Sequence, residues 1–314
     1  MHKFKEIPIS VRTYYKIKRF IPRPLQIAMR RVRAHLKLRT NRVVWPINPK
    51  ASSSPLGWTG WPEGKKFALV LTHDVDTQRG HDRCEMLLNI EKDLGYISSF
   101  NFVAKKYNIS DDLFKIIRTN GFEIGVHGLY HDGKYFKTRE NFNKRAIEIN
   151  YFLDKWGASG FRAPAMHHNL EWILDLNILY DLSTFDTDPF EPQSDGVTTI
   201  FPFWFSSNHN KKRGYVELPY TLPQDFTLFV LLKEKTINVW KNKLDWIAEN
   251  GGMALLIVHP DYINFGNGNN NAEEYNATFY IEFLKYVSEK YRHEFWNPLP
   301  KEIAKYWIDA VVMK

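Results

Sequence analysis

The sequence has a single cysteine and no long apolar run, so neither an internal disulfide nor a membrane-spanning helix is expected. Cys84 is the single cysteine, so no disulfide can form within the chain. No run of 18 or more apolar residues occurs, and the first residues lack the apolar stretch of a secretion signal. Because 44% of the 314 residues are hydrophobic, a sizeable core is expected, and the sequence predicts a cytoplasmic globular protein.

Acidic residues are nearly absent from the first 50 positions. This stretch holds 14 Lys and Arg residues and one acid, Glu6, a net charge of +13. The remaining residues hold 29 basic and 34 acidic side chains, a net charge of −5. The formal charge of +8 therefore comes from the N-terminal extension.

The extension contains the segment "PLQIAMRRVRAHLKLR", which predicts a basic amphipathic helix. Four apolar residues recur at helical spacing while arginines and lysines occupy the other faces: Leu25, Met29, Val32 and Leu36. Such a helix can pack on the rest of the protein, contact an anionic membrane peripherally through residues 1–50, or bind nucleic acid. No recognised nucleic-acid-binding motif accompanies the charge, so nucleic acid is not an expected partner.

A segment rich in Pro, Gly and Ser follows, "WPINPKASSSPLGWTGWPEGKK", and predicts a linker without regular structure. We therefore expect two parts: residues 1–66 form a basic, partly helical extension with its linker, and residues 67–314 form the main globular domain.

Beyond the linker, short apolar runs alternate with helical patterns. Strands are predicted at 67–71, 98–104, 122–126, 182–185, 215–220 and 253–258, and helices at 113–120, 141–156, 237–250 and 277–291. Continuous apolar strands indicate a sheet buried on both faces. The pattern predicts an α/β protein, either a β/α barrel or a doubly wound sheet.

Polar residues follow several of these strands directly. His73, Asp74 and Asp76 follow the first strand, and further polar residues follow later ones: His127, Arg162, Asp186 and His259. Active sites of β/α folds gather at the carboxyl ends of parallel strands, so we expect these side chains to share one cleft.

The segment "HGLYH" suggests a metal site. His127 and His131 are four residues apart, a spacing that on one helical turn places both imidazoles on the same side. Two histidines with one carboxylate are a common ligand set for catalytic zinc, and other first-row divalent ions also suit such ligands.

Five segments in order carry a resemblance to a known family: "THDVD", "GFEIGVHGLYHD", "GFRAPA", "STFDTDP" and "ALLIVHPDY". Together they resemble the successive motifs of the polysaccharide deacetylases, the NodB-homology domain of carbohydrate-esterase type. The two acids of the first segment are separated by Val75, as in a subset of the family with DxD spacing. The resemblance spans the chain from about Phe67 to the final helices. It implies a distorted, incomplete (β/α) barrel and one bound divalent ion, first of all Zn²⁺.

The resemblance also implies roles for single residues. Asp74 would be the catalytic base, and Asp76, His127 and His131 would be the metal ligands. Arg162 would hold Asp74 ionised and oriented.

The same resemblance makes His259 the general acid. Either Asp186 or Asp188 would orient and charge it, and the sequence leaves the choice between them open. Three further histidines receive no role: His73, His167 and His168.

The activity implied is removal of an acetyl group from an N-acetylated amino sugar in a bacterial-type polysaccharide or its precursor, with a carbohydrate as substrate and a non-peptide C–N amide bond as target. An alternative is hydrolysis of a small non-sugar amide or cyclic imide with the same metal site. A third, a non-catalytic glycan-binding relative, would be favoured by loss of a ligand or of the base, and neither is lost.

Overall fold

The structure, a computed structural model, describes residues 20–207, 210–266 and 271–313. Residues 1–19, which carry the start of the predicted extension, therefore lie outside the described residues. Among the described helices, none is long and apolar enough to cross a membrane.

The described strands form one sheet of nine strands and a second sheet of two. The larger sheet consists of β1 (Phe67–Val75), β2 (Ser98–Phe102), β3 (Glu123–Val126), β4 (Gly160–Phe161), β5 (Tyr180–Asp181), β6 (Phe203–Ser207), β7 (Asn210–Glu217), β8 (Met253–Val258) and β11 (Phe295–Trp296). The smaller sheet pairs β9 (Ile263–Asn264) with β10 (Tyr275–Asn276).

The large sheet curls into a distorted, incomplete (β/α) barrel. Parallel pairing runs from β8 through β1, β2, β3, β4 and β5 to β7, and β6 adds an antiparallel edge beside β7. After β7 the chain returns to β8, where the amides of Thr221 and Leu222 donate to the carbonyl of Leu255 at 3.1 and 3.0 Å. Of the two architectures open from the strand pattern, the barrel is therefore the one that forms.

Helices surround the barrel. They are α1 (Arg23–Asn41), α2 (Gln78–His81), α3 (Cys84–Asp93), α4 (Asp111–Thr119), α5 (Arg139–Lys155), α6 (Leu170–Ile173), α7 (Asn238–Glu249), α8 (Thr278–Lys290) and α9 (Pro300–Trp307). Two of the predicted helices begin at a capping side chain: Ser110 accepts from the Leu113 amide, and Thr138 from the Asn141 amide. All four helices predicted after the linker are present with ends shifted by a few residues.

The strand predicted at 182–185 is wrong. β5 ends at Asp181, and Phe185 makes only an isolated bridge to Tyr220. The reason is local, because side chains take the hydrogen bonds that a strand would need. The amide of Thr184 donates to Glu217 Oε1 at 3.0 Å, and the amide of Ser183 donates to Asp181 Oδ2 at 3.2 Å.

Helix α1 confirms the predicted helix but packs with an unexpected face. Its buried apolar residues are Ile27 and Ala34. The apolar stripe, defined as Leu25, Met29, Val32 and Leu36, is exposed, with between 47% and 63% of each residue accessible. Basic side chains fasten the helix instead: Arg23 binds Glu273 at 2.7 Å, and Arg31 donates to the carbonyls of Val230 and Ala272 at 3.0 and 2.7 Å.

The segment between α1 and β1 contains no α-helix or strand among its described residues, as its composition predicts. It is nevertheless packed on the barrel. Trp45 is buried with its ring 4.9 Å from that of Phe190, and Trp61 is buried 4.7 Å from Trp58.

Candidate active site

Strand β1 places two acids at the carboxyl end of the barrel. All nine of its residues are buried, and because side chains alternate along a strand, Asp74 and Asp76 point to the same side. His73 points the other way, where its Nδ1 lies 3.0 Å from the carbonyl of Val258 and its Nε2 lies 2.8 Å from Glu91 Oε1. His73 therefore links β1 to β8 and α3 and stays outside the cleft.

Asp76, His127 and His131 bring three metal-ligand atoms together, all within 4.8 Å of one another. Asp76 Oδ1 lies 3.1 Å from His131 Nε2 and 3.5 Å from His127 Nε2. This oxygen is buried and accepts no hydrogen bond of normal geometry among the described residues. The Nδ1 atom of His127 faces the carbonyl of Arg162 at 3.0 Å, which fixes the ring and leaves Nε2 directed at the site.

These three side chains fit a divalent ion. For metal–ligand distances near 2.1 Å in a tetrahedral arrangement, neighbouring donor atoms should lie about 3.4 Å apart. The two distances from Asp76 Oδ1 fall on either side of that value, at 3.1 and 3.5 Å. The three residues that the sequence predicts as ligands therefore form a candidate His/His/Asp metal site.

The helical turn expected for "HGLYH" is wrong, although its two histidines do converge with ring centroids 5.2 Å apart. Residues 127–131 form a loop in which Gly128 and His131 adopt positive φ angles of 67° and 50°. The hydroxyl of Tyr135 accepts hydrogen bonds from the amides of Leu129 and Tyr130, which holds the loop open. A Cβ atom at Gly128 would lie 2.6 Å from that hydroxyl, so the close approach requires glycine.

Asp74 is held ionised beside the metal ligands. Its Oδ1 accepts hydrogen bonds from Arg162 Nη1 at 2.7 Å and from Asn101 Nδ2 at 3.1 Å, while Oδ2 lies 3.8 Å from His127 Nε2. Burial acts to raise the pKa of Asp74, but the charges of Arg162 and His127 outweigh it and lower the pKa to about 2. Arg162 is itself buried and fixed by Thr72 and the carbonyl of Leu182, as a rigid partner should be.

His259 faces the same cleft, and its carboxylate partner is Asp225. The Nδ1 atom of His259 lies 2.7 Å from Asp225 Oδ1, and its backbone amide donates to Oδ2 at 2.8 Å. Burial acts to lower the pKa of His259, but the adjacent Asp225 charge raises it to about 10, with smaller contributions from Asp76 and Asp74. His259 is therefore protonated near neutral pH.

The expectation that Asp186 or Asp188 supports His259 is corrected by this contact. Asp186 Oδ2 instead accepts a hydrogen bond from the buried Lys243 Nζ at 2.5 Å. Asp188 Oδ2 lies 2.9 Å from the hydroxyl of Tyr220. Both acids follow a segment that leaves the sheet after β5, which turns their side chains away from His259.

Two further polar residues near the site, Asn101 and Asp261, were not predicted from the sequence. Asn101 on β2 contacts Asp74, and Asp261 Oδ2 accepts the amide hydrogen bond of Asp76 at 2.9 Å, which fixes the turn after β1. A signal was present for Asp261, since it lies two residues after His259 in the segment "HPDY".

The remaining unassigned histidines, His167 and His168, are buried, each with 2% of its surface accessible. His168 Nδ1 lies 2.9 Å from the carbonyl of Met166. Both are therefore part of the protein core, and neither lines the cleft described below.

The catalytic side chains open into one cleft of about 820 Å³. One wall is formed by α1, through a row of polar side chains that comprises Gln26, Arg30, Arg33 and Lys37. Other lining residues include Tyr262, Phe190 and Lys106.

No protein-family profile and no curated protein sequence matches the chain. Among solved structures, a protein from Mycobacterium smegmatis described as a polysaccharide deacetylase is 20% identical, with a TM-score of 0.58 over 81% of this chain and 94% of that one. Another so described, from Pseudomonas aeruginosa PAO1, is 15% identical, with a TM-score of 0.58 over 79% and 93%. Puue allantoinase is 15% identical, with a TM-score of 0.59 over 83% and 96%. The chain therefore has the fold of the polysaccharide deacetylases, as its five motifs predict.

Proposed function

We propose that the chain is a metal-dependent hydrolase that removes the acetyl group from an N-acetylated amino sugar. One observation carries the proposal: an ionised acid, a protonated histidine and three metal-ligand side chains converge at the carboxyl end of one barrel. The shared fold with polysaccharide deacetylases supports the same class of substrate.

A divalent ion held by Asp76, His127 and His131 would polarise the acyl oxygen and a water molecule as a Lewis acid. Asp74 accepts the proton of that water, because Arg162 and Asn101 hold its other oxygen and leave Oδ2 directed at the site.

His259 supplies the second proton transfer. An amide nitrogen leaves readily only after it is protonated, and His259 is a protonated side chain that faces the same cleft as Asp74 and the candidate metal ligands. Asp225 keeps the ring in position, since it binds both the Nδ1 atom and the backbone amide of His259.

Zinc is the ion we propose first. Three protein ligands of the His/His/Asp type, with remaining positions open for water and substrate, are the usual arrangement of catalytic zinc. Manganese, iron and cobalt ions also accept these ligands, so metal analysis of the purified protein identifies the bound ion.

The proposal is tested by acetate release from a panel of N-acetylated sugars, measured after chelation and after addition of Zn²⁺. We expect release that disappears on chelation and returns with zinc. The Asp74→Asn variant is the control, because it should keep the metal and lose most turnover. Hydrolysis that survives chelation would contradict the proposed chemistry.

Hydrolysis of a small cyclic imide or non-sugar amide is the second candidate, supported by the shared fold with an allantoinase. Including a cyclic imide in the same panel separates the two candidates.

We also propose peripheral contact with an anionic membrane through residues 1–50. The exposed apolar stripe of α1 and the net charge of +13 of this segment support the contact. A full-length variant with Leu25→Gln, Val32→Gln and Leu36→Gln should lose co-sedimentation with anionic liposomes, and about 0.5 M salt should release the unaltered protein. Liposome binding that the triple variant retains would refute the contact.

A further inference from the structure

Helix α1 presents three different sides to its surroundings. Ile27 and Ala34 are buried, and the apolar stripe is exposed, with Met29 at the edge of the cleft. Between these sides lies a third, made of residues four, three and four positions apart, which at 3.6 residues per turn form one row: Gln26, Arg30, Arg33 and Lys37. This row lines the cleft that contains Asp74 and His259.

The cations of this row are left largely without acidic partners. Arg30 lies over the ring of Phe226, 4.4 Å from its centroid, and Lys37 contacts the carbonyl of Pro189. In the described parts of the chain, no acid, carbonyl or ring contacts the side chain of Arg33. Arg23, one turn before the row, differs because Glu273 binds it through both oxygens.

The acids nearest to the row do not neutralise it. Glu191 lines the same cleft, and burial together with the charge of Asp188 raises the pKa of Glu191 to about 8. Because its ionisation is opposed in this way, Glu191 balances the charges of Arg30, Arg33 and Lys37 only in part. Like charges three and four residues apart on a helix repel one another, so the row favours binding of an anion.

We infer that this row binds an anionic group of the substrate, a phosphate or a carboxylate on the sugar or on its neighbour, while the acetylated nitrogen lies at the metal site. Arginine binds both groups through paired N–H donors, and two arginines and a lysine suit a group with several oxygens. The inference rests on the proposed function, because the row and the catalytic residues share one cleft. It narrows the substrate from N-acetylated sugars to those with an acidic group beside the acetylated position.

Rates with matched substrates test the inference in the full-length protein. The probes are N-acetylglucosamine, its 1-phosphate and a disaccharide in which a uronic acid adjoins the N-acetylated sugar. We expect a higher kcat/KM for at least one anionic probe than for the neutral sugar, and the preferred probe identifies phosphate or carboxylate as the recognised group.

Three variants then test whether the row is responsible for the preference for the anionic probe. In Arg30→Gln and Arg33→Gln the ratio of kcat/KM between the preferred anionic probe and the neutral sugar should fall about tenfold, the worth of one charged hydrogen bond. Arg39→Gln is the matched control, because Arg39 lies on the same helix and does not line the cleft. Its ratio should equal that of the unaltered protein.

The outcomes separate this inference from the proposed function. Equal use of neutral and anionic sugars, or a preference that survives in both variants, overturns the inference and leaves deacetylation standing. If no sugar is hydrolysed, the melting temperature with and without N-acetylglucosamine 1-phosphate tests the anion site by itself. A rise in melting temperature that is lost in Arg33→Gln supports the anion site without the proposed reaction. No rise in the unaltered protein or in any variant overturns the site.

Discussion

Replacement of Asp225 by asparagine tests the electrostatic role of the residue that supports His259. The carboxylate lies 2.7 Å from His259 Nδ1 and also accepts hydrogen bonds from the amide of Phe226 and from the hydroxyl of Tyr275. Asparagine keeps the size but removes the negative charge, and its NH2 group replaces an oxygen that accepts from the backbone amide of Phe226 or of His259. The variant therefore removes the charge that raises the pKa of His259 together with one hydrogen-bond acceptor.

The size of the change follows from the geometry. Two unit charges about 4 Å apart interact by about 4 kcal/mol at an effective dielectric constant near 20, which corresponds to about 3 pKa units. The pKa of His259 is raised to about 10, so the variant should have a pKa near 7. Because Asp225 favours the protonated form, both proteins carry the proton below pH 6.5, and only the unaltered protein carries it between about pH 7 and 10.

The assay is the pH dependence of kcat/KM for acetate release. We expect the alkaline limb to move to lower pH by about 3 units in Asp225→Asn, with a much smaller loss at pH 6. Tyr275→Phe is the control, because it removes a neutral donor 3.1 Å from the same carboxylate and leaves the charge in place. An unchanged limb in Asp225→Asn, or an equal shift in Tyr275→Phe, would refute the reasoning, provided that thermal melts show both variants folded at the assay temperature.

Further substitutions test the candidate site and the buried pair of Lys243 and Asp186. Asp76→Asn should abolish tight zinc binding measured by calorimetry, whereas Asp74→Asn should keep zinc binding and lose turnover. Equal loss of zinc binding in both variants would contradict the separate roles of the two acids. His259→Ala should keep zinc and slow acetate release by about 10²–10⁴, and an unchanged rate would remove His259 from the reaction. Lys243→Met should lower the free energy of unfolding, measured by urea denaturation, by about 3–5 kcal/mol, because it leaves Asp186 charged and buried. Adding Asp186→Leu to this variant should restore most of the lost stability. If the double variant is as unstable as Lys243→Met, the pairing is contradicted.

That the candidate metal ligands lie close together was predictable from their positions along the sequence. Asp76 and His127 each follow a buried strand, and parallel strands end at one edge of the barrel, so neighbours in space could be inferred without a structure. The conformation of the loop that leads to His131 could not be predicted, because it depends on the hydroxyl of Tyr135 and on a positive φ angle at Gly128.

The partner of His259 was missed for a different reason. Asp225 lies 34 residues before His259, in a segment that the strand pattern did not distinguish, and only barrel closure brings the two together. Asp186 and Asp188 follow a predicted strand, which made them the better candidates by local pattern. The strand was wrong there because side chains replace its backbone hydrogen bonds.

The helix of the extension shows the limit of periodicity. Apolar spacing correctly predicted α1, but the most regular apolar row is the exposed one. Anchoring by Arg23 and Arg31 decides which side packs, and such long-range contacts with Glu273 and Ala272 leave no trace in local sequence.

The most direct test of metal-dependent deacetylation is a titration of chelator-treated protein with Zn²⁺ while acetate release from an N-acetylated sugar is followed. If Asp76, His127 and His131 form the working site, release should rise to a plateau at one equivalent of zinc in the unaltered protein and stay at background in Asp76→Asn. Full release without added metal, or the same titration in Asp76→Asn, would contradict the assignment.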